Sequence, residues 1–110
     1  MRTQWNFYTA GQLEWGWGCV AGLGRQLERR KLTRVLVVTD PILVKAGIVE
    51  RVSSPLRESK IDHEIFDGGC AEPSIAAALA AFEAAKKFRP IAILGLGGGS
   101  NMDLAKIVAI

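Results

Sequence analysis

Histidine and tyrosine each occur once in the 110 residues and cysteine twice, and no apolar run approaches the length of a membrane-spanning helix. The lone histidine, His63, stands between Asp62 and Glu64, where it reads as a surface residue and not as a metal ligand. Cys19 and Cys70 lie far apart and form no C-x-x-C pair, so they read as buried thiols of a reducing compartment. The opening stretch MRTQWNFYTAG has no signal-peptide core, and the expected location is cytoplasmic, with no membrane partner. Nor is there a concentrated charge of one sign. The net charge is +3, and the densest basic group, Arg25, Arg29, Arg30, Lys31 and Arg34, surrounds one helix end as a solvated face, so no nucleic-acid partner is expected. No internal repeat, linker or low-complexity segment divides the chain, and residues 1–110 are expected to form one domain.

What is present is ample for a packed core: 49% hydrophobic residues against 23% charged, with twelve glycines for tight turns. Five of the eight aromatics, Trp5, Phe7, Tyr8, Trp15 and Trp17, fall before Gly18 in alternating patches. Two short strands at a sheet edge, with the aromatics packed, are the expectation there. Val20, Leu23, Leu27 and Leu32 then recur at helical spacing. Val35 to Val38 reads as a strand buried on both faces, as in a parallel sheet. Helical spacing returns from Ile42 to Leu56, with a break expected near Ser53, Ser54 and Pro55. Ile61 to Phe66 is a short alternating strand; Ser74 caps a helix that Pro90 stops, and Ile91 to Leu94 forms the last strand. Alternation of this kind gives an α/β fold, a Rossmann-like parallel sheet flanked by helices, with an N-terminal edge β-hairpin.

Two places carry chemistry. Asp40 follows directly on the buried strand, where open α/β sheets bind ligands. A carboxylate there is able to accept from both ribose hydroxyls of an adenosine, or to cap the helix opening at Pro41, and the two roles are compatible. After the last strand come Gly97, Gly98 and Gly99, then a helix start with Ser100 or Asn101 as the expected N-cap. Bare main chain followed by unpaired helix N–H groups at the positive end of the dipole makes a diphosphate cradle. Asp103 and Lys106, three apart on that helix, also suit a solvated ion pair. The G-x-G-x-x-G fingerprint is not met, because Ser100 stands in its third glycine's place, and no Gly-Lys-Ser/Thr follows for a Walker A loop.

Taken as a block, Gly97 to Lys106, GGGSNMDLAK, resembles the signature GGGSxxDxAK of the iron-containing (group III) alcohol dehydrogenases and fills all its fixed positions. Ser100 and Asp103 favour that branch over glycerol dehydrogenases, dehydroquinate synthases and maleylacetate reductases. The resemblance implies that Gly97, Gly98, Gly99 and Ser100 hold the diphosphate, that Asp103 and Lys106 lie toward the nicotinamide ribose, and that Asp40 faces the adenosine ribose. A carboxylate at that place repels a 2′-phosphate, so NAD is expected over NADP. The loop Asp67 to Ser74 resembles the family's Pro-containing loop near the cofactor's adenosine end.

The resemblance runs over essentially the whole chain but only about the first third of a two-domain family protein. It implies a nucleotide-binding half, cut short at its C-terminal end, of an enzyme that interconverts an alcohol and an aldehyde or ketone with NAD(P). Family members hold Fe2+ or another divalent metal with one Asp and three His of a helical second domain. Those ligands are missing here, so the chain alone is expected to bind no metal, to carry no catalytic residue of its own and to turn over no alcohol; the small-molecule substrate belongs to the absent half. A homo-oligomer is compatible with this reading. The alternatives are a dehydroquinate synthase/glycerol dehydrogenase-like relative and a free-standing nucleotide-binding module without catalysis.

Overall fold

In the computed structural model the described residues are 11–72 and 74–110. Three strands, β1 (Arg34–Val38), β2 (Asp62–Phe66) and β3 (Ala92–Gly95), form a parallel sheet in the order β2-β1-β3. A 3-10 turn (Cys19–Gly22) leads into α1 (Leu23–Arg29); α2 (Pro41–Lys45) and α3 (Ile48–Glu58) join β1 to β2, α4 (Ile75–Phe88) joins β2 to β3, and α5 (Gly99–Ala109) follows β3. β1 is the central strand and the most buried, whereas β3, also apolar, is half-buried and β2 is mostly exposed. Leu36 and Val38 pack with Ala81 and Phe88 of α4 and with Leu104, Ala105 and Val108 of α5. Val35 and Val37 pack on the opposite face with Val52, Leu56 and Ile61, backed by Leu23 and Leu27 of α1. Helices therefore cover both faces of a parallel sheet, as the continuous apolar run requires.

The lower rim of the sheet is pinned by Arg34. Its guanidinium donates to the Phe88 carbonyl at 2.7 Å, pairs with Asp62 of the neighbouring strand and stacks 3.9 Å over the Phe88 ring. Each helix that feeds a strand ends through one basic residue in the left-handed region: Lys31 before β1, Lys60 before β2 and Arg89 before β3. A cation there complements the negative helix end, whereas the left-handed backbone costs a non-glycine residue about 1–2 kcal/mol.

Several expectations are corrected. No strand forms from Gly11 to Gly18, so the second half of the edge hairpin is absent; its first half falls on residues 1–10, outside the described residues. Trp15 and Trp17 are fully exposed, because this segment lies on neither helical layer. The helical stretch after Asp40 breaks at Gly47, whose left-handed φ of 76° suits glycine, and not near Ser53 to Pro55. Pro55 instead stays inside α3, buried. Both cysteines are exposed: Cys19 opens the 3-10 turn, and Cys70 sits in the loop after β2, its thiol donating to the Glu72 carbonyl at 2.9 Å. His63 is half-buried, with Nδ1 3.2 Å from the Ile61 carbonyl oxygen. No helix among the described residues is long and apolar enough to cross a membrane.

Lys60 offers a direct check on the left-handed turns. Lys60→Gly is expected to raise stability in urea unfolding by about 0.5–1 kcal/mol by relieving the strained backbone.

Candidate functional site

The carboxyl ends of β1 and β3 lie side by side, with Val38 in register with Gly95. Both chains leave the sheet there, β1 into Asp40 and α2, β3 into the glycine turn and α5, while the loop after β2 passes beside them. Between these segments opens a cavity of about 310 Å3 whose walls include Asp40, Gly69, Cys70, Gly98, Gly99 and Ser100. Four larger concavities, of about 390 to 470 Å3, lie around Trp15 and Trp17, along the outer side of α3, beside α1 and against the start of β3, and none touches the carboxyl end of a strand. The strand-end cavity joins the Asp40 carboxylate, bare glycine backbone and the start of α5 at the carboxyl ends of β1 and β3.

Asp40 is the N-cap of α2. Its Oδ1 accepts from the Leu43 N–H at 3.0 Å, and its Oδ2 accepts from the Asn101 side-chain amide at 2.8 Å. Those two donors, the Leu43 backbone first and Asn101 second, hold the Asp40 carboxyl below the ordinary carboxylate range. The capping role is thus realised, and each oxygen keeps a lone pair for a further donor. Thr39, just before it, has a buried hydroxyl with no hydrogen-bond partner among the described residues.

The helix start differs from the expectation. Gly98, not Ser100 or Asn101, is the N-cap, and α5 begins at Gly99 with no side-chain cap. The first intrahelical bond runs from Met102 N–H to the Gly98 carbonyl at 3.1 Å, leaving the N–H groups of Gly99, Ser100 and Asn101 ahead of it. A Cβ added at Gly98 or Gly99 would meet nothing within 4 Å, so these two glycines border open space. Gly97 serves differently: its φ is 130°, and a Cβ there would stand 2.3 Å from the Asn101 amide nitrogen and 2.9 Å from Leu43. Gly97 therefore makes room for Asn101 and does not itself line the cavity.

Ser100 sits one residue inside α5 because the three glycines let the helix begin earlier. Its hydroxyl donates to the Ala71 carbonyl at 2.6 Å, tying the loop after β2 to the helix start. Asp103 and Lys106 form an exposed ion pair at 3.5 Å on α5 and do not line the cavity. The structure thus brings together Asp40, Gly98, Gly99 and Ser100, places Gly97 behind them and leaves Asp103 and Lys106 on the helix surface. Sequence reasoning missed Asn101 as the link between the two halves of the site; its partner lies 61 positions away, and no local pattern signals the contact. Among the described residues no three of His, Cys, Asp and Glu come together as a metal site.

Comparison with known proteins places these features in context. The family model for iron-containing alcohol dehydrogenase matches residues 11–110. Long-chain-alcohol dehydrogenase 1 of Geobacillus thermodenitrificans is 36% identical over 95 residues, which is 86% of this chain and 24% of that protein. Alcohol dehydrogenase 4 of Schizosaccharomyces pombe is 31% identical over 104 residues, 94% of this chain and 25% of that protein. The crystal structure of NADH-dependent butanol dehydrogenase A from Thermotoga maritima superposes with a TM-score of 0.86 at 28% identity, over 96% of this chain and 27% of that one. The chain spans about a quarter of the length of these relatives.

The depressed Asp40 carboxyl has a definite consequence for stability. Its contribution is complete above the unfolded carboxyl's pKa, near 3.8, and is lost as the pH falls from there through the lower folded value. Asp40→Asn is expected to flatten the loss of stability over that acid range, measured by urea unfolding at a series of pH values; an unchanged slope would place the depression elsewhere.

Proposed function

The chain belongs to the iron-containing alcohol dehydrogenase family, and we propose that it is the part that binds the dinucleotide, NAD in preference to NADP, for the interconversion of an alcohol with an aldehyde or ketone. The observation that carries this reading is the cavity at the β1 and β3 ends, where an uncapped helix N-terminus and side-chain-free glycines meet a carboxylate.

The residues present fit a nucleotide diphosphate. Helix-dipole attraction alone contributes about 0.3–1 kcal/mol, too little to hold a ligand, whereas each hydrogen bond to a charged group contributes about 1.5–3 kcal/mol. The N–H groups of Gly99, Ser100 and Asn101 would therefore supply most of the affinity, with the glycines keeping the approach open. Asp40 would accept from the adenosine ribose hydroxyls with the lone pairs its two internal bonds leave free, and its charge would disfavour a 2′-phosphate. Asp103 and Lys106 would lie toward the nicotinamide ribose, Lys106 adding positive charge near the phosphates. When bound, the nicotinamide supplies the hydride chemistry.

The described residues do not fit the family's metal, since no ligand cluster forms among them. We assign them no step through iron. The chain acts as the nucleotide-binding domain, residues 1–110, and the alcohol and the metal belong to the remainder of such an enzyme.

Calorimetric titration of the chain with NAD and ADP-ribose tests the cradle. Gly99→Ala is expected to keep the melting temperature, because a Cβ there meets no protein atom, and to lower affinity for both ligands by about tenfold, or 1.4 kcal/mol. Unaltered affinity, or no binding to the unsubstituted chain, would refute the cradle. With added Fe2+ and NAD, the chain alone is expected to oxidise no short or long primary alcohol in an NADH absorbance assay. Measurable turnover would refute its reading as a binding domain only.

A further inference from the structure

Asn101 occupies one of the three variable places in the GGGSxxDxAK pattern, yet it is one of the few buried polar residues among the described residues, only 3% exposed. Both N–H donors of its amide are used. Nδ2 donates to Asp40 Oδ2 at 2.8 Å and to the Leu96 carbonyl at 2.9 Å. Both partners are acceptors, so the nitrogen, and not the oxygen, must face them. The backbone is shaped around this group. A Cβ at Gly97 would stand 2.3 Å from Nδ2, and one at Gly69 would stand 2.4 Å from Oδ1. Three segments, the loop after β2, the glycine turn and α5, thus enclose one carboxamide.

The clasp fixes Asp40 from two directions. Leu43 N–H holds Oδ1 and Asn101 holds Oδ2, one donor on each oxygen, so the carboxylate can neither rotate nor withdraw from the cavity wall. A neutral amide donor suits this task. A lysine or arginine there would neutralise the charge that discriminates against a 2′-phosphate, and a residue without a donor would leave Oδ2 free to turn.

We propose that Asn101 is the positioning residue for dinucleotide selectivity: through its amide it presents the Asp40 carboxylate, charged and oriented, to the two ribose hydroxyls of NAD. This rests on Asp40 being the ribose acceptor, as proposed above. Asn101 itself touches Asp40 and acts through it.

The test compares Asn101→Leu, close in volume but without a donor, with Asn101→Ser and Asp40→Asn. For each, calorimetry gives affinities for NAD and NADP, and carbon-13 NMR follows the Asp40 carboxyl titration where Asp40 remains. Asn101→Leu is expected to raise the Asp40 pKa toward its ordinary value and to lower the preference for NAD over NADP by about tenfold, the loss falling on NAD. Asn101→Ser, small enough to fold if the leucine variant does not, is expected to shift both readouts in the same direction. A merely structural role would weaken NAD and NADP alike and leave the preference unchanged, which overturns the proposal. If Asp40→Asn alters the preference while neither Asn101 variant does, the Asn101 inference alone fails. If Asp40→Asn leaves the preference unchanged, the ribose assignment fails and the inference with it, as also happens if the unsubstituted chain binds neither dinucleotide.

Discussion

A strand with no exposed side chain has to be covered on both faces, and β1 is such a strand from Val35 to Val38. That constraint accounts for the layers: α1 and α3 close one face, α4 and α5 the other. It also decides where the strand can deliver function. A fully buried β1 has no free face for a ligand, so its first half-exposed residue beyond the sheet, Asp40, is the first that a ligand can reach. β3, in register beside it, brings the glycine turn to the same level. The cavity is therefore a consequence of parallel pairing, which aligns the carboxyl ends of all the strands on one side.

At that level the structure uses a small number of polar contacts to join segments far apart in sequence. Asp40 caps α2 and reaches Asn101; Asn101 reaches Leu96; Ser100 reaches Ala71. These bonds connect the segments that follow all three strands and tie the two halves of the proposed ribose and phosphate site together. In the proposed function, selectivity and affinity would be coupled through Asn101, whose backbone N–H lies at the start of α5 and whose amide holds Asp40. The outer surface of α4, by contrast, leaves Ile75, Leu79 and Phe82 exposed on one side, and nothing in the cavity depends on them.

Much of this was legible from residues close together in the chain. The four apolar residues of β1, the Asp-Pro helix opening and the Ser74 cap each depend on neighbours within four positions, and all form as read. The glycine turn is equally plain, but the exact cap is not: Ser and Asn are the better N-caps by preference, yet Gly98, with the extended backbone that an N-cap requires, takes that place and α5 starts at Gly99. A proline beside two serines is a local signal for a break near Ser53 to Pro55, whereas the break falls at Gly47 with its positive φ, and Pro55 remains within the helix. Cysteine spacing and the average burial of aromatics say nothing of which layer a segment meets, and Cys19, Cys70, Trp15 and Trp17 are exposed. Asn101 was invisible for a different reason. Its meaning lies in a carboxylate 61 residues earlier and in two glycines that leave it room, and only the fold brings these together.

The central claim is that a dinucleotide docks where β1 and β3 end, against the start of α5. Amide chemical-shift mapping of the nitrogen-15-labelled chain during an NAD titration addresses it most directly. The largest shifts are expected at Gly98, Gly99, Ser100 and Asn101, with Asp40 and Gly69 following at the same saturation. Shifts confined to another surface, such as the segment around Trp15 and Trp17, or none at saturating NAD, would contradict it.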